Sequence, residues 1–258
     1  MKKTIFISID GMRPDGFLQC GSPFADKMME IGSYTLDART AFPSVTLPCH
    51  MTMFYSVPPE RHGITTNIYI PFARPLPSLF DQIAAMKGIS AMYYGWQPMR
   101  DVSAPKTLHY SSFIQCTTGD HVDDELTDLA LDRIAKSHPD FVYLYLVDTD
   151  KDGHGSGWMT EKYLDTVRRA IENVRRVYEA AGDEYSIIVT ADHGGHDRGH
   201  GTTMPEDMTI PMFFIGERFT PGMQLSDVTM LDITPTIADV MEILPADEWE
   251  GKSLANGK

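Results

Sequence analysis

A segment rich in metal-binding side chains runs from Asp192 to Gly201. It contains three histidines, two aspartates and four glycines, and it follows a short apolar run. Imidazole and carboxylate groups are the usual nitrogen and oxygen ligands of zinc in proteins. A flexible, solvated loop is the alternative interpretation, but such a loop gives no reason for histidine at this density. The segment therefore predicts a metal site.

A second segment places the same chemistry elsewhere in the chain. Asp150 and His154 are four positions apart, a spacing that allows the pair to close on one ion. This segment also follows an apolar run, and Asp10 follows another at the N-terminus. The carboxyl ends of parallel strands share one edge of a sheet, which is where such folds place their ligand sites. We therefore expect these distant side chains to meet in space.

Thr46 is the candidate nucleophile. Pro48 suits the first turn of a helix, which would place Thr46 at or next to the N-cap. Free backbone N–H groups and the helix dipole favour an anion at that position, and a phosphoryl group fits there. The alternative is that Thr46 is only a capping residue, since threonine is common at helix N-termini.

The elements that must position these residues are strands alternating with helices. Short apolar runs predict strands at residues 4–9, 89–96, 141–147, 185–190 and 210–215. Apolar residues at three- and four-residue spacings predict helices over 122–136 and 161–181, the second ended by Gly182. This alternation predicts an α/β fold, with a central, mostly parallel sheet covered by helices on both faces. We expect one domain over residues 1–258.

Composition narrows the class of protein. The 258 residues carry a net charge of −14 with only 22 lysines and arginines, which argues against a nucleic-acid polymer or a membrane surface as partner. Three cysteines form no close pair, so a reducing compartment is the simpler interpretation. No apolar stretch approaches the length of a membrane-spanning helix. We expect a soluble, cytoplasmic protein with a small-molecule partner; the oligomeric state stays open.

Taken together, the motifs resemble the alkaline phosphatase superfamily, and most of all its type I phosphodiesterase/nucleotide pyrophosphatase branch. The ordered set is Ile7-Ser8-Ile9-Asp10-Gly11, Val45-Thr46-Leu47-Pro48-Cys49-His50, His62-Gly63-Ile64-Thr65-Thr66-Asn67, Asp150-Lys151-Asp152-Gly153-His154, and Thr190-Ala191-Asp192-His193-Gly194 with His200. Near the C-terminus, residues 231–238 and 251–254 are similar to the closing helix and strand of that family. Each motif is weak alone, whereas the ordered set is specific.

The resemblance implies two metal sites. One metal would be held by Asp150, His154 and His200, and the second by Asp10, Asp192 and His193, with the Thr46 oxygen approaching the second. Zinc suits these mixed imidazole and carboxylate sets, with manganese or iron as substitutes. His50 and His196 are left outside both sets.

The resemblance also implies the chemistry of a phosphate-ester hydrolase. Thr46 would attack phosphorus to form a phosphothreonine, and Asn67 would donate a hydrogen bond to a non-bridging oxygen. Nucleotide-specific relatives often have an aromatic residue after the nucleophile that stacks on the base, whereas this chain has Leu47. Tyr145, five positions before Asp150, is the remaining candidate for stacking. Residues about 69–115 are expected to form part of the substrate wall.

Several rival functions follow from the same residues. A sulfatase is rejected, because the motif Cys/Ser-x-Pro-x-Arg is replaced here by Thr46 and His50 at its two ends. Mutases of the superfamily carry larger inserted domains than 258 residues allow. A phosphodiesterase is preferred, with a phosphomonoesterase or a phosphonate hydrolase as alternatives within the superfamily. A metal-binding protein without catalysis is the alternative from another class, and it would not need Thr46.

Overall fold

The computed structural model describes residues 1–118 and 121–256, and a seven-stranded sheet runs through this part of the chain. The strands are β1 (Lys3–Ile9), β2 (Ser33–Arg39), β3 (Ser90–Tyr94), β4 (Tyr110–Phe113), β5 (Phe141–Leu146), β6 (Tyr185–Thr190) and β7 (Thr209–Ile215). Their order across the sheet is β2-β7-β6-β1-β5-β3-β4. Neighbouring strands are parallel from β6 through β4, while β7 is antiparallel to both β6 and β2. The predicted mostly parallel α/β sheet is confirmed.

Helices lie between the strands and, in the case of the last one, after β7. They are α1 (Pro14–Gln19), α2 (Pro23–Ile31), α3 (Thr46–Tyr55), α4 (Pro59–His62), α5 (Leu79–Ala85), α6 (Val122–Ser137), α7 (Asp148–Ser156), α8 (Glu161–Ala181), α9 (Pro205–Met208) and α10 (Ile233–Met241). The longest, α8, has the predicted bounds. The Thr160 side chain caps it by accepting the N–H of Tyr163, and Gly182 ends it with φ of +51°.

The five predicted strands are present, with ends shifted by at most two residues. Two strands were missed, and both lie at the edges of the sheet. β2 carries polar residues and alternates between buried and partly exposed positions, and β4 has four residues, two of them serines. An edge strand covered on fewer sides needs no continuous apolar run, so the pattern that identified the central strands is absent.

The predicted closing strand at the C-terminus is wrong. Residues 251–254 lie in the described part of the chain and form no strand. Their N–H groups instead donate to side chains: Gly251 to Ser56 Oγ at 3.0 Å, Lys252 to Asp232 Oδ1 at 2.9 Å and Leu254 to Thr236 Oγ1 at 3.0 Å. The closing helix is present as α10. The segment is thus fixed by polar contacts with its surroundings rather than by a sheet ladder.

The centre of the sheet is buried on both faces. All six residues of β5 are buried, and every residue of β1 after Lys3 is buried as well. This explains the near-continuous apolar runs in the sequence, which a sheet with one wet face would interrupt. Among the described residues we find no helix with the length and apolar character needed to cross a bilayer.

Candidate active site

The carboxyl ends of β1, β5 and β6 form one edge that carries the acidic residues. In the β1–β6 ladder Ser8 pairs with Thr190, so Asp10 and Asp192 each follow two residues later at the same level. The Gly11 N–H donates to Asp192 Oδ1 at 3.0 Å, which joins the two strand ends directly. Parallel pairing therefore gathers carboxylates that are 182 positions apart in sequence.

Asp10, Asp192 and His193 form a buried cluster. Nε2 of His193 lies 3.3 Å from Asp10 Oδ1 and 3.5 Å from Asp192 Oδ2. Thr46 Oγ1 lies 3.3 Å from the same nitrogen. The three potential ligand atoms lie within 4.8 Å of one another, and the side chains are at most 3% exposed. The structure therefore brings together all the residues predicted for the second metal.

Asp150, His154 and His200 form the other predicted set. Asp150 and His154 stand one turn apart on α7, with 3.5 Å between Asp150 Oδ2 and His154 Nε2. His200 Nε2 lies 3.7 Å from Asp150 Oδ1. The His154 side chain is 46% exposed, so this cluster opens to solvent. The rings of His193 and His200 stack with centroids 3.8 Å apart, which places the two sets side by side.

One oxygen of each carboxylate in these sets has no hydrogen-bond partner within the described part of the chain. Asp10 Oδ1, Asp150 Oδ1 and Asp192 Oδ2 are buried, and none of them has a hydrogen-bond partner among the described residues. The opposite oxygen of Asp192 accepts N–H groups from Gly11 and His193. A buried carboxylate oxygen without a partner is costly, and a cation would satisfy it. This pattern fits two metal ions.

The three histidines of the two sets are each oriented by a hydrogen bond from Nδ1 to a backbone carbonyl. Nδ1 of His193 donates to the carbonyl of Gly194, Nδ1 of His154 to that of Arg198, and Nδ1 of His200 to that of Ser44, at 2.7–2.9 Å. Each bond leaves Nε2 with a lone pair directed at its set, the arrangement found in metal-ligating histidines. Burial lowers the pKa of His200 to about 4, so its ring is neutral near pH 7.

Carboxyl groups are crowded together at the site. Burial, together with the charges of Asp192 and Asp150, raises the pKa of Asp10 well above its ordinary value. Burial also raises the pKa of Asp150. Carboxylates that resist ionisation in one another's presence are stabilised by nearby cations, which favour the charged form.

Thr46 is the first residue of α3 and does not serve as its cap. The N-cap position belongs to Val45, an apolar residue that makes no side-chain cap bond. The Thr46 hydroxyl instead faces His193, in a side chain that is 5% exposed. The interpretation of Thr46 as a capping residue therefore has no support in the geometry.

The residues predicted to contact substrate differ in their placement. Asn67 is exposed, and its Oδ1 accepts the N–H of Leu47 at 2.9 Å, which holds its amide beside the start of α3. The Leu47 and Tyr145 side chains have no exposed surface. The Tyr145 hydroxyl donates to Asp10 Oδ2. Substrate contact by Leu47 and Tyr145 stays a prediction.

Three further residues near the site belong to neither predicted set. His50 Nδ1 donates to the Thr46 carbonyl at 2.7 Å and lies 3.5 Å from Asp192 Oδ2. His196 pairs with Asp207 at 2.7 Å, outside both sets. Trp158 was missed altogether, although its ring lies against His154 with centroids 5.2 Å apart. No spacing in the sequence signals Trp158, because its contacts come from separate segments.

Comparison with known proteins gives the family of this chain. The family model described as type I phosphodiesterase/nucleotide pyrophosphatase matches residues 4–202. The chain belongs to this family. The predicted membership of the alkaline phosphatase superfamily, nearest this branch, is confirmed.

Curated relatives of this family member are much longer proteins. The chain is 22% identical over 218 residues to ectonucleotide pyrophosphatase/phosphodiesterase family member 1 of Rattus norvegicus, covering 74% of this chain and 24% of the relative. It is 31% identical over 138 residues to a 2,3-bisphosphoglycerate-independent phosphoglycerate mutase of Clostridioides difficile (strain 630), covering 50% of this chain and 26% of the mutase. The chain thus spans about a quarter of the length of these relatives.

Solved structures match over nearly the whole chain. Human ectonucleotide pyrophosphatase/phosphodiesterase 5 superposes with a TM-score of 0.82 at 13% identity, covering 97% of each chain. A 2-O GAG sulfatase superposes with a TM-score of 0.76 at 14% identity, covering 98% of this chain and 73% of the sulfatase. At such identities these likenesses establish the fold that the family shares with sulfatases.

Proposed function

We propose that this chain is a metal-dependent phosphodiesterase or nucleotide pyrophosphatase with Thr46 as its nucleophile. The observation that supports this most is the position of Thr46 Oγ1, 3.3 Å from Nε2 of His193 in a cluster with Asp10 and Asp192. A hydroxyl at the start of a helix, beside a histidine nitrogen that lies within 3.5 Å of two unpartnered carboxylate oxygens, suits attack on a phosphoryl group.

Two divalent cations would complete the site. Asp150, His154 and His200 would hold one, and Asp10, Asp192 and His193 the other, with zinc best suited to these ligands and manganese or iron as substitutes. When bound, the cations would neutralise the three carboxylates and supply Lewis-acid stabilisation of the attacking and leaving oxygens.

The residues of the chain itself would do the rest. Attack by Thr46 Oγ1 on phosphorus would expel the leaving alcohol and form a phosphothreonine, which water would then hydrolyse. The N-terminus of α3, a helix of ten residues, would favour the phosphoryl charge. Asn67 accepts an N–H through Oδ1, which leaves its Nδ2 group to donate to a non-bridging oxygen.

The substrate would be a small phosphate ester with one negative charge. Asn67 contributes a neutral amide, which suits a monoanionic diester. Two arginines pair with carboxylates: Arg61 with Glu250 at 2.7 Å and Arg13 with Asp15 at 2.6 Å. A solved structure of murine ectonucleotide pyrophosphatase/phosphodiesterase 5 holds AMP, which is compatible with a nucleotide as one product.

The test compares two chromogenic substrates with metal in excess. We expect kcat/KM for bis(p-nitrophenyl) phosphate to exceed that for p-nitrophenyl phosphate, because this ratio reports transition-state stabilisation. A preference for the monoester by tenfold, about 1.4 kcal/mol, would replace the diesterase by a phosphomonoesterase. Turnover of a phosphonate alone would favour the phosphonate hydrolase, and metal binding without any turnover would favour the non-catalytic protein.

A further inference from the structure

We propose that Trp158 is a positioning residue that fixes the three ligand-bearing segments relative to one another. These segments are the end of β1 with Asp10, helix α7 with Asp150 and His154, and the stretch from Asp192 to His200. The inference rests on the proposed metal sites. Trp158 lies just after α7 and is 6% exposed.

The indole occupies space that side chains at two glycines would need. A Cβ atom at Gly195 would lie 2.3 Å from the Trp158 ring, and one at Gly153 would lie 2.7 Å from it. In both cases the three nearest atoms all belong to Trp158. Gly153 precedes His154, and Gly195 follows two residues after His193. Close approach of the ring to the backbone therefore explains glycine at both positions.

Hydrogen bonds tie Trp158 to the other two segments. Its indole Nε1–H donates to the carbonyl of Gly11, the residue after Asp10, at 2.9 Å. Its backbone N–H donates to the carbonyl of Asp197, between His193 and His200, at 2.8 Å. Trp158, which follows α7, thus makes one hydrogen bond to the end of β1 and one to the stretch from Asp192 to His200.

The ring also lies against two histidines of the more exposed set. Its centroid is 5.2 Å from that of His154 at an interplanar angle of 84°, and 6.1 Å from that of His200 at 65°. The Nδ1 atoms of both histidines are bonded to backbone carbonyls. The indole and the carbonyls together restrict the ring orientations that direct Nε2 towards Asp150. Mutation of groups that orient ligands in this way commonly lowers metal affinity by about tenfold to a hundredfold.

The test measures metal affinity rather than turnover. Metal-free protein is titrated with Zn²⁺ in competition with a chromophoric chelator, for the wild type and for Trp158→Phe, which keeps an aromatic ring but loses the N–H and part of the surface. We expect the dissociation constant of the site formed by Asp150, His154 and His200 to rise by about tenfold or more.

Two glycine variants on α7 supply a matched comparison. Gly153→Ala should weaken Zn²⁺ binding because its methyl group would displace the indole. Gly155 lies on the same helix, and beyond its chain neighbours and the helix backbone no described atom lies within 4 Å of its Cβ position. The Zn²⁺ affinity of Gly155→Ala should therefore stay within about twofold of the wild type. Alanine favours a helix over glycine at both sites, so loss of helix propensity cannot explain a difference.

The outcomes separate this inference from the proposed function. Thermal unfolding and circular dichroism establish that each variant is folded; if Trp158→Phe is not, Gly153→Ala decides. Wild-type affinity in the folded variants overturns the positioning role while leaving the two-metal hydrolase intact. If the wild type itself binds no zinc, manganese or iron, the proposed function fails first.

Discussion

At the scale of residues, Tyr145 makes a hydrogen bond to one of the proposed metal ligands. Its hydroxyl donates to Asp10 Oδ2, the oxygen opposite the unpartnered Oδ1. We expect Tyr145→Phe to free Asp10 to rotate and to weaken metal binding at the Asp10 set by about tenfold. Chelator competition measures this.

Tyr143→Phe is the control for that variant. Tyr143 lies two positions earlier on β5, is equally buried, and bonds the Ser8 hydroxyl at 2.7 Å instead of a proposed ligand. Equal losses of metal affinity in the two variants would mean that the Tyr145 hydroxyl has no particular effect on Asp10.

The sequence predicted the proposed ligands better than the residues around them. Asp10 and Asp192 follow buried strands, so topology alone places them at one edge of the sheet. The orientation of Tyr145 depends on which face of β5 it occupies, and a spacing of five residues from Asp150 does not determine that. Trp158 contacts three segments that are separate in the sequence, so no local sequence pattern predicts these contacts.

At the scale of elements, α4 and the segment after it hold Asn67 against α3. His62 Nε2 lies 3.1 Å from Thr52 Oγ1 on α3, and the Ile64 N–H donates to His62 Nδ1 at 3.1 Å. Burial lowers the pKa of His62 to about 4, so the neutral ring keeps Nδ1 as an acceptor near pH 7. The segment from His62 to Asn67 is thereby fixed to the helix that carries Thr46.

A double-mutant cycle tests this connection. We expect Asn67→Ala to lower kcat/KM for the diester by about a hundredfold, the cost of losing one donor to a developing charge. His62→Ala should also lower it, since Asn67 would lose its anchor. In the Asn67→Ala background the His62 substitution should add little. Fully additive effects would show that His62 acts on something other than Asn67.

The sequence predicted those strands whose two faces are both buried. The run 141–147 predicted β5 because both faces of that strand are covered. A continuous apolar run does not occur in β2 or β4, because these strands lie at the edges of the sheet and carry polar residues. Nor does such a pattern predict that residues 251–254 bond to side chains rather than to a neighbouring strand. The acceptors are Ser56, Asp232 and Thr236.

At the scale of the whole molecule, the sheet edge and α3 assemble a single centre from distant parts of the chain. Thr46, the two ligand sets and the stacked rings of His193 and His200 occur together only in the folded protein. Family membership over residues 4–202 spans all of these residues. We propose that this centre is that of a two-metal hydrolase, in which Thr46 is the nucleophile and other residues hold the metals.

The most direct measurement is turnover of bis(p-nitrophenyl) phosphate by Thr46→Ala, with metal content determined on the same preparation. We predict that turnover falls by about a thousandfold or more, while about two metal ions per chain are retained, because six protein ligands remain. Thr46→Ser should keep part of the rate, since it keeps a hydroxyl. An alanine variant that holds its metals and works within about tenfold of the wild-type rate would contradict the account and require direct attack by water.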